Sequence, residues 1–404
     1  MEPVLTDGPD PALNVDTLSL KTKYYFVLLN VEAILYIGIS QTLFAGILIA
    51  TKKPRMLANQ ILGAWLLLIC AEMILVLIDV KLIDLYPIKI LPYTYGPLLL
   101  LYAKLMTSEH PSFNPGYLWH FLPFFLFLIT SLLFLDEPVM NGTEGFLVTD
   151  RFVSFRILYG VTFFVSITAY SVATFVVIHR HQKHLKELVS FSSGKITLQW
   201  LLGLSITFYL GYVLMFIFGG IDILVGFMPF DPYELSFIGL TILTFLFGVF
   251  GFNQSSVFEE VVKYKEPDVI PENNGSGKYQ RSGLKKKDVA RYISRIEEYM
   301  KKEKPYLDRE LTIYDLSDRL DIPRHFISEV INEHMGKNFY NLVNEYRVEE
   351  VKGRLSDPKY KHLTILAIAY DSGFNAKSSF NTIFKEKTGM TPSEYLKKVS
   401  ARNS

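Results

Sequence analysis

The chain has a single cysteine in 404 residues, Cys70, set within an apolar run. One thiol excludes an intrachain disulfide framework, a cysteine-built zinc site and a redox pair. Charge is scarce as well. Asp, Glu, Lys and Arg make up 20% of the chain against 50% hydrophobic residues, and the mean hydropathy is positive, which is not the balance of an ordinary soluble domain. No basic n-region precedes the first apolar stretch, because residues 1–23 are rich in Asp, Pro and Thr; no cleavable signal peptide is expected. A nucleophile elbow, a phosphate-binding glycine loop, an HExxH pair and kinase or receiver signatures are all missing. The expectation is a protein that is not an enzyme and takes no cofactor or metal.

Long apolar runs are abundant. A bilayer core takes about 20 mostly apolar residues per helix, and seven segments qualify: 24–50, 59–80, 88–106, 118–135, 155–178, 198–225 and 237–252. The third carries Lys89, Pro92, Pro97 and Lys104, which predict a kink; six or eight spans are the alternatives. Loop charge sets the orientation. Lys52, Lys53 and Arg55 follow the first span, and Arg180, Lys183, Lys186 and Lys195 follow the fifth. The loop after the fourth is acidic (Asp136, Glu137, Glu144, Asp150), and that after the sixth holds Asp231 and Glu234 with no Lys or Arg. Only Lys21 and Lys23 argue the other way. The reading is an external N-terminal tail (1–23), a seven-span membrane domain (24–252), a linker (253–287) broken by Pro267, Pro271 and 272–277, and a helical C-terminal module (288–404) in the cytoplasm.

The chain from Lys278 to its C-terminal residue is basic, with 25 Lys and Arg against 18 Asp and Glu, as nucleic-acid-binding modules often are. It also repeats itself. Ile313, Leu316 and Ile322 recur 52 residues later as Ile365, Ile368 and Phe374, and Ile327, Val330 and Ile331 recur at an offset of 53 as Phe380, Ile383 and Phe384. Each copy reads as helix, tight turn, helix. Pro323 suits a helix start, and Gly373 suits a turn with positive φ. In each second helix the apolar residues form one stripe. The opposite face carries His325, Ser328, Glu329 and Asn332 in the first copy, and Ser378, Asn381, Thr382 and Lys385 in the second. Short polar and basic side chains on an outward helix suit major-groove readout; on pattern alone, a helical bundle with a solvated face fits too.

The residues 365–369 (ILAIA), 373–375 (GFN), Ser379-Phe380, Phe384-Lys385 and 389–395 (GMTPSEY) resemble the AraC/XylS family of regulators, as do 316–320, 336–339 and 344–347 in the first copy. The resemblance implies an all-α module of two helix-turn-helix units joined by a long helix over 338–355. It implies recognition helices over 324–333 and 377–387, entering successive major grooves of double-stranded DNA. It adds Arg324 and Lys377 as base-reading candidates at the helix starts, beside His325, Ser328, Glu329, Ser378, Asn381 and Thr382, and it leaves Lys385 and Lys387 as phosphate candidates. Val351, Gly353 and Arg354 depart from the family's usual connecting helix. The membrane half, through 95–98, Tyr102 and 119–124, and the linker through 278–284, resemble multi-span sensor halves fused to AraC-type tails in Bacteroidetes-like bacteria.

Within the spans, Glu32 and Glu72 are the sensing candidates, since intramembrane carboxylates are costly and face a cavity or a partner; interhelical hydrogen bonds are the structural alternative. Asp79 and Asp222 are read as interfacial. His179, His181 and His184 are read as part of a basic cytoplasmic loop and not as a metal site. The whole is expected to be a one-component transcription regulator in the inner membrane, responding to an unidentified signal and binding DNA, with dimerisation expected. The alternative is a transporter or scaffold with an anchoring tail. It would favour repeats and broken helices among the spans; no repeat is visible there, and one span looks broken.

Overall fold

The computed structural model describes residues 32–81, 86–133, 151–225, 232–254, 284 and 286–402. The expected external tail, the acidic loop at 136–150 and most of the linker lie outside the described residues. The described residues are helical, with one isolated β-bridge between Val189 and Thr312. The chain divides into two compact units. The first combines Met1–Val177 with Gln199–Ser256, and the second combines Ile178–Leu198 with Val257–Ser404.

In the first unit the helices are α1 (Glu32–Ala50), α2 (Leu57–Lys81), α3 (Tyr95–Met106), α4 (Leu122–Leu133), α5 (Val153–Leu188), α6 (Gln199–Val225) and α7 (Pro232–Asn253). The last residues of α5, from Ile178, belong to the second unit. Among the described residues, six helical stretches are long and apolar enough to cross a membrane. The third expected span is not one of them. It is a 3-10 stretch, Tyr86–Thr94, running into the twelve-residue α3. Pro92 sits inside the 3-10 piece, where its missing N–H prevents a regular helix. Twelve residues of α-helix reach about 18 Å, short of the ~30 Å of a hydrocarbon core. Nearly every side chain of α3 is buried.

Trp65 of α2 centres the core of this unit. Its ring packs against Tyr95 (6.1 Å), Phe208 (6.0 Å) and Phe247 (5.2 Å), which ties α2 to α3, α6 and α7. Helices α1 and α2 approach closely, since a Cβ on Gly63 would stand 2.7 Å from Ala50 Cβ and 2.8 Å from the Gly46 carbonyl; small residues allow this backbone approach in lipid. Large apolar side chains, among them Phe44, Leu133, Val165 and Val225, stay exposed, more than an aqueous surface normally tolerates. Glu72 lies midway along α2, 1% exposed, and its Oε2 has no hydrogen-bond partner among the described residues. Glu32, the other sensing candidate, is half-buried on α1.

The second unit continues through α8 (Lys286–Lys302), α9 (Ile313–Leu320), α10 (Arg324–Glu329), α11 (Phe339–Ser356), α12 (Ile365–Asp371), α13 (Lys377–Thr388) and α14 (Pro392–Arg402). Its first piece, 178–198, contains the expected basic loop, and that loop is folded. His181 is buried with Nε2 2.9 Å from the Ile196 carbonyl, and Gln182 Nε2 donates to the Thr197 carbonyl at 2.9 Å.

Candidate nucleic-acid interface

The two helix pairs start alike. Thr312 caps α9 with a full capping box, its hydroxyl accepting from Asp315 N while the Asp315 carboxylate accepts from Thr312 N. Thr364 caps α12 and accepts from Ala367 N at 3.1 Å. Each cap satisfies donors that a helix start otherwise leaves open. Both turns then use left-handed backbone, Asp321 at φ +50° and Gly373 at φ +94°. From there the next helix is capped by Pro323 in the first unit and by Ala376 in the second. One residue stands between turn and cap in one case and two in the other, which is the physical origin of the change in repeat offset from 52 to 53.

In the second helix pair, Phe380, Ile383 and Phe384 of α13 are buried, while Lys377, Ser378, Asn381, Thr382 and Lys385 are exposed. The core under them includes Val348, Val351 and Leu355 of α11 and Phe374. The exposed five form one open face of donors, acceptors and positive charge. Lys387 is tied elsewhere, its ammonium donating to Glu345 Oε1 at 3.1 Å, so a phosphate would have to compete for it.

The first helix pair departs further from expectation. The helix predicted over 324–333 is α-helical only to Glu329 and continues as a π-turn, Val330–His334, with Met335 N donating to the Val330 carbonyl at 2.9 Å. Helix α8 packs on that turn, and Tyr292 lies 6.2 Å from the Phe326 ring. An apolar stripe therefore does not mark the only covered side. Glu329, expected to face outward, is 6% exposed, which is a correction to the reading face. It lies beside Glu333 and His334, with one ligand-type atom from each within 4.8 Å of the others. His325 is exposed, Ser328 half-buried and hydrogen-bonded by Asn332 Nδ2 at 3.2 Å. Arg324 is half-buried, donates to Tyr314 Oη at 2.7 Å and lies over its ring.

Helix α11 joins the pairs and runs unbroken through Gly353. Asn338 caps it, accepting from Asn341 N at 2.8 Å. Glu350 bridges Lys304 (3.0 Å) and Arg354 (2.9 Å), and Glu345 bridges Lys337 and Lys387. Partial burial works to raise the pKa of both carboxylates, but the hydrogen bonds and charges of these cations outweigh it, and both end below the usual carboxylate value. A carboxylate depressed in the folded state stabilises fully above its unfolded pKa, and that contribution is lost as pH falls through the folded value. The module is therefore expected to weaken as pH drops below about 4.5. Amide exchange over 339–356 as a function of pH checks this, and Glu345→Gln should flatten the dependence; an unchanged profile would remove Glu345 from the account.

The sequence reading missed Arg347. It is 1% exposed, and burial lowers its pKa from the usual value to about 10, which leaves it charged at neutral pH. Its place in 344–347 carried the resemblance but no role, because most of its partners, the Tyr306, Asp308 and Ser190 carbonyls and Ser190 Oγ, lie far away in sequence.

Residues 316–398 match the family model described as a helix-turn-helix domain. The chain is also similar to the HTH-type transcriptional activator RhaS of Mannheimia succiniciproducens, 30% identical over 87 residues, which is 22% of this chain and 31% of that protein. The chain thus spans about a third of the length of the curated relative it matches. No solved structure matches. These matches support an AraC-type helix-turn-helix domain in the C-terminal module and, with it, DNA-binding transcription regulation.

Proposed function

We propose that this chain is a membrane-bound one-component transcription regulator. In this reading seven spans, α3 with its 3-10 lead counting as the third, hold an external N-terminus and a cytoplasmic DNA-binding module. The observation that carries it is the joining, in one chain, of six helices of membrane-spanning length and apolarity to a helix-turn-helix domain of the AraC type. The DNA-reading residues are Lys377, Ser378, Asn381 and Thr382 on the open face of α13, with Arg324, His325 and Ser328 on α10. Lys385 and, after release from Glu345, Lys387 hold phosphates. Each unit takes a major groove, about one helical turn or 10 base pairs apart, and a second copy of the chain pairs with the first. Signal reception belongs to the membrane half, with Glu72 the leading candidate because a buried carboxyl with one oxygen lacking a partner among the described residues is costly there; Glu32, half-buried, is secondary.

Membrane vesicles of both orientations test the reading. The full-length protein should retain duplex DNA on inside-out vesicles and not on right-side-out ones, with affinity falling steeply with salt as counterions are released. In a binding-site selection on the inside-out vesicles, Asn381→Ala should cost roughly 1–3 kcal/mol at one base pair and relax preference there. Glu72→Gln should change the amount of DNA retained without changing the selected sequence. DNA bound only by right-side-out vesicles would sink the topology. A selected sequence untouched by both His325→Ala and Asn381→Ala would sink the reading face.

A further inference from the structure

Arg347 lies where four parts of the second unit meet. Its Nε donates to the Tyr306 carbonyl at 2.8 Å, and its Nη2 donates to the Asp308 carbonyl at 2.6 Å, both on the lead-in to α9. The turn of the second helix pair closes on it, since a Cβ on Gly373 would stand 2.8 Å from Arg347 Nε. Its own helix supplies Val348 and Val351 to the core beneath α13. The fourth part is the short strand that follows α5. Arg347 Nη1 donates to the Ser190 carbonyl at 2.7 Å and Nη2 to Ser190 Oγ at 3.0 Å.

That strand is built to dock. Val189 and Ser190 are each 1% exposed. Val189 pairs antiparallel with Thr312, the cap of α9. Ser190 N and Oγ both donate to the Leu311 carbonyl, at 3.1 and 2.7 Å, and Asn344 Nδ2 donates to the Ser190 carbonyl at 3.2 Å. The far end of the loop is fastened back to α5 through His181 and Gln182. A buried guanidinium is tolerated only when its donors are satisfied, and Ser190 supplies two of the acceptors. The strand touches the cap of the first helix pair and, through Arg347, the helix that sets the spacing of both.

We propose that Val189-Ser190 is a docking strand that completes the DNA-binding module, with Arg347 as its receptor, so that α5, which ends at Leu188, acts on both DNA-reading helices through this one contact. The DNA-binding unit is then discontinuous in sequence, and docking favours the DNA-competent arrangement. This regulation rests on the reading above that the module binds DNA from a membrane-embedded chain.

The test uses the full chain in inside-out vesicles. Hydrogen bonds place Val189 and Thr312 as a directly opposed pair of the kind with close side chains, within disulfide reach, and the native Cys70 is buried. Val189→Cys with Thr312→Cys should form an intramolecular disulfide on mild oxidation, detected as two fragments held together after proteolysis between them; neither single variant should. In this background Ser190→Pro, which removes the N–H and the hydroxyl, should reduce retention of the DNA selected by the unsubstituted protein about tenfold, roughly 1.4 kcal/mol. Oxidation should restore it and reduction should reverse the rescue, which a global folding defect would not allow. Ser190→Ala, which keeps the backbone groups, should lose less. Absence of the crosslink, or undiminished retention by Ser190→Pro, overturns the proposal. The crosslink is read on the protein alone, so a chain that bound no DNA would fail the functional reading while the docking contact was still decided.

Discussion

Gly373→Ala is expected to abolish sequence-specific DNA retention and to strip protection from the amides of α12 and α13. Two costs combine. The residue sits at φ +94°, where a Cβ strains the backbone by about 1–2 kcal/mol. The added methyl would also stand 2.1 Å from the Tyr306 carbonyl, 2.8 Å from Arg347 Nε and 3.1 Å from Leu307 Cα. Two of these are backbone, and the Tyr306 carbonyl is itself held by Arg347, so relief requires moving the lead-in to α9 or pulling Arg347 from its acceptors. Leaving a buried charge badly bonded belongs to the short list of changes that exceed roughly 4 kcal/mol. Gly336 and Gly389 supply the control. They too have positive φ, +65° and +74°, but a Cβ on either meets nothing within 4 Å. Gly336→Ala and Gly389→Ala should therefore cost only the backbone strain and keep DNA binding. Hydrogen exchange on the three full-length variants separates the terms. Equal losses at all three positions would show that conformation alone, and not the close approach to Arg347, makes Gly373 necessary.

The contrast among these glycines bears on what a sequence can disclose. Positive φ at Gly373 was readable from its place in the turn, but the crowding was not, because Tyr306 and Arg347 are brought there by the fold. The open face of α13 was readable for a simple reason. Its apolar stripe (Phe380, Ile383, Phe384) is buried, and Lys377, Ser378, Asn381, Thr382 and Lys385 stay exposed on the rest of the helix. The same rule failed for Glu329, because α8 packs against the turn that follows α10 and the helix changes to π-type hydrogen bonding at Val330. Periodicity reports one covered side and is silent about a second. The Thr312 and Thr364 caps stand 52 residues apart, like the apolar residues that follow them, and extend the repeat to the helix starts. Pro92 and Pro97 signalled the irregularity of the third apolar segment; its burial as the short α3 depended on neighbours that hydropathy does not name. Arg347 fell within the 344–347 resemblance, but its contact with Ser190 had no local signal, because its guanidinium donates to a carbonyl 157 residues away.

Phe384→Ala is expected to unfold the second helix pair selectively. Phe384 is fully buried, 5.6 Å from the Phe380 ring and 5.5 Å from that of Tyr395, so it links α13 to α14. Phe380 in turn packs 5.1 Å from Phe374 at the turn. Truncating a buried Phe to Ala costs about 3–5 kcal/mol, through lost transfer energy and an unfilled cavity, a large share of the 5–15 kcal/mol that stabilises a typical whole domain. Phe380→Ala should act alike, and because the rings touch, the double variant should lose less than the sum of the single losses. The first pair has buried apolar residues of its own, Ile313, Leu316, Ile327, Val330 and Ile331, and the Thr312 box does not depend on α13. Amide protection should therefore collapse over 365–388 and persist over 313–331 in the full-length protein. The DNA sequence selected by Phe384→Ala should shrink to the half read by α10, with much weaker binding overall, whereas Asn381→Ala should relax a single base pair and leave protection intact. Uniform loss of protection across 313–388 would show that the two pairs fold as one cooperative unit and that α11 transmits the damage. Retained protection at 377–388 would mean that α14 and α11 close the cavity, and that the ring cluster contributes less than its burial implies.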